Sequence, residues 1–148
     1  MSLSQKCQYA VRAVYELARR RQNGELTTIA HIARAQAVPA RFLETILAQL
    51  RQAGYVEARR GVQGGYLLRV PPKDLTVGDI IRSIDGPQDP VRCTNGRDEA
   101  CPLTGKCVFV KLWQDAASAA AEVYQTSFLD LMEQAQTCQS ESDGDYTI

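Results

Sequence analysis

The chain has 148 residues, 45% of them apolar, and 17 basic against 17 acidic side chains leave a formal net charge of zero. That length suits one compact domain with an appendage, and no apolar run approaches the ~20 residues a membrane helix needs. The opening MSLSQKCQYAVRAVYELARR has no cationic start leading into a pure apolar stretch, so neither a secretion signal nor a membrane span is expected and a cytoplasmic protein follows.

The charges are unevenly placed. Residues 1–70 carry a balance of +7 and residues 71–148 one of −7. A basic front half is drawn to phosphate backbones, and an acidic back half should face away from them. The plainer alternative is solvated helix faces of unequal sign.

Leu3, Cys7, Ala10, Val11, Val14, Leu17 and Ala18 recur at helical spacing, which predicts a first helix with one buried face. Ser4 is a fitting N-cap. Arg19, Arg20 and Arg21 suit the negative end of the helix dipole or a phosphate contact, and Asn23-Gly24 stops the helix. Leu26 and Thr27 read as a short strand. Thr28 then caps a brief helix with Ile29, Ile32 and Ala33 inward. His31 rides on that helix as a surface or supporting residue rather than a metal ligand.

Ala35–Val38 reads as a turn, and Pro39 falls at the first position of the next helix, where its fixed φ helps. The helix from Pro39 to Gln52 buries Phe42, Leu43, Ile46, Leu47 and Leu50. Ala40, Arg41, Glu44, Thr45 and Ala48 then lie on or near its outer face. Two helices joined by a tight turn form a helix-turn-helix, with the second presented to a DNA groove. Arg41 can pair with guanine and Glu44 can accept from cytosine N4; an ordinary exposed helix face is the alternative.

Tyr55–Ala58 and Tyr66–Arg69 read as strands joined by Arg59-Arg60-Gly61-Val62-Gln63-Gly64-Gly65. The glycines let the backbone approach a groove wall, and Arg59 and Arg60 suit a minor groove or phosphate oxygens. No GKS or GKT follows, and a strand rather than a helix comes next, so this is not a nucleotide-cradling loop.

Pro71-Pro72 closes the unit. Thr76 caps a helix with Val77, Ile80, Ile81 and Ile84 on its buried stripe, ended by Gly86-Pro87. Residues 87–106 are polar and punctuated, a loop with little reason to order without a ligand. From Leu103 or Cys107 to Gln134 one long helix is expected, with Phe109, Leu112, Trp113, Ala116, Ala120, Val123 and Leu131 at helical spacing. The small residues at 116–121 permit close approach of another helix, which predicts a dimerisation helix. The polar segment 137–148 reads as a flexible tail.

The expected fold is therefore mainly α with a small β-wing. A winged helix-turn-helix domain spans 1–72. A linker helix, a cysteine sensing loop at 87–107 and a long C-terminal dimerisation helix span 73–136.

Five cysteines, an odd number, argue against a disulfide framework in a reducing compartment. Cys93, Cys101 and Cys107 cluster with seven and five residues between them, which is neither a zinc-ribbon spacing nor the ferredoxin run. Three thiolates on a loop can cap one face of an iron–sulfur cluster, and sulfur softness favours iron–sulfur, zinc or copper(I) over hard ions. On spacing alone iron–sulfur, zinc, redox thiols and no chemistry all stay open. Cys7, Gln8, His31 and Cys138 are the candidates for a fourth ligand, from this chain or a partner. Cys7 lies on the apolar stripe of helix one, where a small buried hydrophobe is the plainer reading. A single histidine and no nucleophile set or cofactor loop argue against an enzyme.

LSQKCQYAVRAVYELA, IAHIARAQAVPARFLETILAQLRQAGYVEARRGVQGGYLL, LTVGDIIRSIDG and the three-cysteine loop together resemble the Rrf family of bacterial winged-helix repressors, whose members include IscR, NsrR and CymR types. The resemblance covers residues 1 to about 135. It implies a homodimer on a pseudo-palindromic double-stranded DNA operator, with the long helices crossing at the interface. By motif position Arg41, Phe42 and Glu44 match the recognition-helix contacts, with Thr45 beside them, and Arg60 matches the wing arginine, with Arg59 beside it. Cys93, Cys101 and Cys107 match the ligands of an iron–sulfur cluster, [2Fe-2S] or [4Fe-4S]. IscR-like members complete the site with a histidine at a position that here is Val110. NsrR-like members use an acidic residue of the other subunit at a position that here is Gln8, beside Cys7. The expected function is a DNA-binding repressor controlled by that cluster. The alternative is a cluster-free regulator of the same family that uses cysteine redox chemistry or partner-protein binding.

Overall fold

The computed structural model describes residues 3–88 and 101–143, with side chains given as far as Cys138. Helix α1 (Gln5–Arg21) starts where the Ser4 hydroxyl accepts from the Cys7 N–H, and Arg19, Arg20 and Arg21 occupy its last turn. Cys7, Ala10, Ala13, Val14, Leu17 and Ala18 of α1 are all buried. The other helices and the sheet pack around this face.

Thr28 caps α2 (Ile29–Gln36) by accepting from the His31 N–H. The chain leaves α2 through Ala37 at φ 50°, the one non-glycine positive φ among the described residues. That left-handed residue costs roughly 1 kcal/mol where glycine would cost nothing. It reverses the chain tightly enough for Val38, 2% exposed, to drop back into the core. Helix α3 (Ala40–Gln52) follows, with Pro39 as its extended N-cap rather than its first residue. The Pro39 carbonyl takes the first turn's hydrogen bond from the Phe42 N–H at 3.0 Å. Leu43, Ile46, Leu47 and Leu50 of α3 are buried, as their spacing predicts.

Strands β1 (Val56–Arg59) and β2 (Gly65–Leu68) pair antiparallel, with Val56 opposite Leu68 and Arg59 opposite Gly65. In place of the short strand expected at Leu26 and Thr27 there is a single bridge at Thr27: its N–H donates to the Tyr66 carbonyl at 2.9 Å and its carbonyl accepts from the Tyr66 N–H at 2.8 Å. Two glycines are required by close approach. A Cβ on Gly64 would lie 2.4 Å from the Arg59 carbonyl oxygen, and one on Gly65 would lie 2.9 Å from the Thr27 carbonyl oxygen.

A 3-10 turn (Pro72–Asp74) leads to α4 (Val77–Asp85), which opens with a reciprocal cap between Thr76 and Asp79. Burial pushes the Asp79 carboxyl up, but hydrogen bonds from the Thr76 backbone and hydroxyl and from Arg82 outweigh it and hold the group below its ordinary value.

The single long helix expected from Leu103 or Cys107 to Gln134 is two helices. Helix α5 (Val110–Tyr124) ends, and α6 (Phe128–Asp143) starts afresh. Two things break it. Ser127 and Asp130 form a local cap: the Ser127 hydroxyl donates to Asp130 at 2.7 Å and accepts from the Asp130 N–H at 3.1 Å. The backbone here is also claimed by the segment before α4. The Val77 N–H donates to the Thr126 carbonyl and the Phe128 N–H to the Leu75 carbonyl, both at 3.0 Å. Phe128, fully buried, and Met132 then pack into the core, so α6 folds back on α1 rather than prolonging α5. It reaches Asp143 and so runs into the segment read as a flexible tail.

The core is one continuous cluster. Leu75, Ile80, Phe128 and Met132 join Val14, Leu17, Leu47 and Leu68 in it, so apolar packing runs straight across residue 72.

Candidate nucleic-acid interface and cysteine loop

Helix α3 has two unlike faces. Its buried side leaves no freedom of rotation, and Arg41, Glu44 and Thr45 are turned out to solvent. Phe42 differs from them: it is half-buried and packs against the core. Its ring centre lies 5.5 Å from that of Tyr9 on α1, and the Arg41 guanidinium carbon sits 4.8 Å from the Phe42 ring centre.

The start of α1 ties α3 to α4. The Lys6 ammonium donates to the Gln49 side-chain carbonyl at 2.6 Å, and the Gln49 amide donates to the Ser83 carbonyl at 2.9 Å. The Ser4 N–H donates to Asp85 at 2.8 Å, and the Ser4 hydroxyl bonds the same carboxylate. Helix α4 thus touches α3 through Ser83 and Gln49 just before the chain enters the cysteine loop. Sequence reasoning missed this relay, because Lys6, Gln49 and Ser83 are ordinary polar residues until the fold brings them together.

It missed Glu16 as well. This carboxylate is 3% exposed on the inner face of α1. It accepts from the Gln36 amide at 2.8 Å, lies 3.1 Å from His31 Nε2 and is 3.4 Å from an Arg19 guanidinium nitrogen. His31, on α2, is therefore a clip between the first two helices, with Arg20 3.4 Å from the same ring nitrogen. Arg20 also pairs with Glu25. Glu16→Ala strands His31 and Gln36, and a loss of about 1 to 3 kcal/mol is expected. Thermal unfolding at pH 7 checks it; an unchanged Tm would mean the clip contributes nothing.

The wing carries Arg59 and Arg60, both exposed. Arg59 pairs with Glu57 at 3.2 Å on the surface, a contact worth ~0 to 1 kcal/mol and easily exchanged for a phosphate. Val62 stands fully exposed in the loop between the strands.

Of the loop cysteines, Cys93 lies outside the described residues. Cys101 and Cys107 are both half-exposed and free. A turn joins them: Cys101 accepts from the Thr104 N–H at 3.0 Å, Leu103 accepts from the Lys106 N–H at 2.9 Å, and Gly105 takes φ 77°. Among the described residues no group of three ligating side chains is gathered. The donor chemistry nevertheless suits a soft metal centre, since sulfur is a soft donor and neither thiol is closed off in the core.

The fourth-ligand candidates separate. Cys7 is 0% exposed, and burial, followed by the nearby Asp85 carboxylate, pushes its thiol up to about 11. It is a core side chain held in its neutral form. Gln8, next to it, is exposed, and its amide donates to the Leu3 carbonyl at 3.2 Å. His31 is engaged by Glu16, as above. Cys138 is exposed on α6.

Helix α5 buries none of its residues. Leu112 and Val123 are 55% and 68% exposed, and Phe109 is open as well. A cavity of about 210 Å³ lies beside the contact of α5 with α4, lined by Ile81, Arg82 and Tyr124 among others. No helix among the described residues is long and apolar enough to cross a membrane.

Residues 3–134 match the Rrf2 family, described as an iron-dependent transcriptional regulator. A putative rrf2-like HTH-type transcriptional regulator of Rhodobacter capsulatus is 44% identical over 93 residues, 62% of this chain and 62% of that one. The chain therefore spans less than two thirds of that relative. Among solved structures, T. potens IscR superposes with a TM-score of 0.76 at 29% identity, over 94% of this chain and 91% of that one. CymR of B. subtilis, described as its global cysteine regulator, superposes with a TM-score of 0.75 at 31% identity, over 90% of this chain and 98% of that one.

Proposed function

Because the chain belongs to the Rrf2 family of transcriptional regulators, we propose that it is a homodimeric repressor that reads a palindromic operator with α3 and the wing, under the control of an iron–sulfur cluster on the cysteine loop. The observation that carries the reading part is the two-faced α3, with Leu43, Ile46, Leu47 and Leu50 locked in the core while Arg41, Glu44 and Thr45 face out. Arg41 and Glu44 stand in the first turns of the helix, the part that approaches base edges in helix-turn-helix proteins. Arg59 and Arg60 on the wing supply charge to phosphates or a minor groove. The exposed apolar stripe of α5 is the surface for the second copy.

Cys93, Cys101 and Cys107 would hold the cluster, with the Gln8 side-chain oxygen of the second copy as the fourth donor. Gln8 is the choice because it is exposed, whereas its neighbour Cys7 is buried. When bound, the cluster supplies a centre that oxidants, nitric oxide or iron loss can alter. The chain's own part is mechanical. The loop leaves α4 directly, α4 meets α3 through Ser83 and Gln49, and α4 meets the start of α1 through Asp85 and Ser4. Anaerobic purification with iron, sulfide and absorption measurements tests the assignment. A coloured protein holding iron and sulfide is expected.

The likeness to CymR favours a second reading: a cluster-free regulator of the same family responding through cysteine redox or a partner protein. A colourless, iron-free protein whose DNA binding still responds to signal would select it.

Reading and phosphate contacts separate by salt and by base. Operator affinity is expected to fall steeply with salt, and Arg60→Ala should reduce the salt slope by about 1 while weakening all sequences alike. Glu44→Ala should instead relax the preference at one base pair by about 1 to 3 kcal/mol. Binding titrations at several salt concentrations, with base-substituted duplexes, check both. An unchanged sequence preference in Glu44→Ala would remove Glu44 from the reading set.

A further inference from the structure

Arg41 and Phe42 are consecutive on α3, and side chains one position apart on a helix diverge rather than meet. Here they meet: the guanidinium carbon lies 4.8 Å from the ring centre. The arginine, exposed on the outer face of α3, lies with its guanidinium over its neighbour's ring. Phe42 in turn is held from below. Its ring meets Tyr9 at 5.5 Å with a 45° tilt, and the Tyr9 hydroxyl accepts from the Gln5 amide at 3.0 Å. The contact between Lys6 and Gln49 pins the same stretch of α1 to α3, so the spacing of the two rings is set by two helices.

We propose that Phe42 is a positioning residue for Arg41: the Tyr9–Phe42 pair acts as a platform that orients the guanidinium for recognition of one base pair. The inference rests on the DNA-reading role given above and deepens it. The physical logic is preorganisation. A long arginine that is free before binding loses rotamer freedom when it pairs with a base, whereas one already stacked loses less. Bidentate pairing with guanine also needs the guanidinium plane in one orientation, which a phosphate contact does not. With its ring engaged by Arg41 and Tyr9, Phe42 acts through Arg41 rather than on a base itself. The effect of the platform should therefore appear at one base pair and not in the general affinity for DNA.

The experiment uses the full chain, prepared anaerobically. The probe is the site that the protein itself selects from a randomised duplex library, with an unselected duplex as control. Phe42→Leu is expected to lower affinity for the selected site about two- to five-fold, the range of a partly exposed cation–π contact. The salt slope and the affinity for the unselected duplex should stay unchanged. The lost preference should fall at the base pair whose preference Arg41→Ala erases, and the double variant should be no weaker than Arg41→Ala alone. Phe42→Tyr, which keeps the ring, should restore the preference. If Phe42→Leu fails to fold by circular dichroism, Tyr9→Leu puts the same question through the lower ring, with a smaller loss at the same base pair expected. Additive losses in the double variant, or equal losses on both duplexes, would show that Phe42 merely packs, and would overturn the proposal while leaving Arg41 as a reader. If Arg41→Ala leaves the selected sequence intact, Arg41 does not read bases, and the platform falls with it.

Discussion

Leu112→Glu combined with Val123→Glu is expected to yield a folded monomer that binds a palindromic operator about 100- to 10,000-fold more weakly, the loss that follows when two linked half-site contacts become independent. The expectation comes from the surface of α5. Phe109, Leu112, Ala116, Ala120 and Val123 follow one another at three- and four-residue steps, and such steps keep side chains on one face of a helix. Leu112 and Val123 are 55% and 68% exposed in a single chain and outside its buried core, so the protomer should fold with charges there. The small residues at 116–121 leave room for a second backbone to come close. Sedimentation velocity reads the assembly state, and titration of whole operators and half-sites reads the affinity. Half-site binding should survive unchanged. A variant that remains a dimer would place the interface elsewhere.

The second large effect is chemical. Replacing Cys93, Cys101 and Cys107 together with serine should abolish bound iron, sulfide and visible absorption. It should also remove the response of operator affinity to oxidant or nitric oxide, a coupling of about 5- to 150-fold if it is of ordinary size. Cys7→Ala is the internal control. Its thiol is buried and raised to about 11, so the variant should keep its iron and lose only stability, by roughly 1 kcal/mol for a small deletion in a packed core. Iron loss in Cys7→Ala would reverse the assignment of Gln8 as the fourth donor. An unchanged response in the triple variant would favour partner-protein control over the cluster and over cysteine redox.

Much of the fold was legible because its signals are local. Ser4, Thr28 and Thr76 announce three helix starts, and each hydroxyl accepts from the backbone three residues on. The apolar spacing of Leu43, Ile46, Leu47 and Leu50 identifies the buried side of α3. The glycines at 64 and 65 announce the hairpin, where a Cβ would strike the Arg59 and Thr27 backbone. Ser127 and Asp130 carried a cap signal of the same kind within the expected long helix. The run of helical spacing on both sides hid it.

What the chain determines without help from its fold is what depends on neighbours within a turn or two: caps, buried stripes, tight turns, and the split between a basic front and an acidic back. Tertiary structure alone decides the rest. It fixes the break that the local Ser127–Asp130 cap begins, because the backbone around Leu75 and Val77 claims the hydrogen bonds that continuation would have used. It withdraws Cys7 from chemistry by closing the core over it, and makes His31 a clip by setting Glu16 of another helix beneath it. It draws Phe42 toward Tyr9, 33 positions away in the chain. In each case the deciding atom belongs to a distant segment, and hydrogen-bond competition and burial act on distance in space rather than separation along the chain.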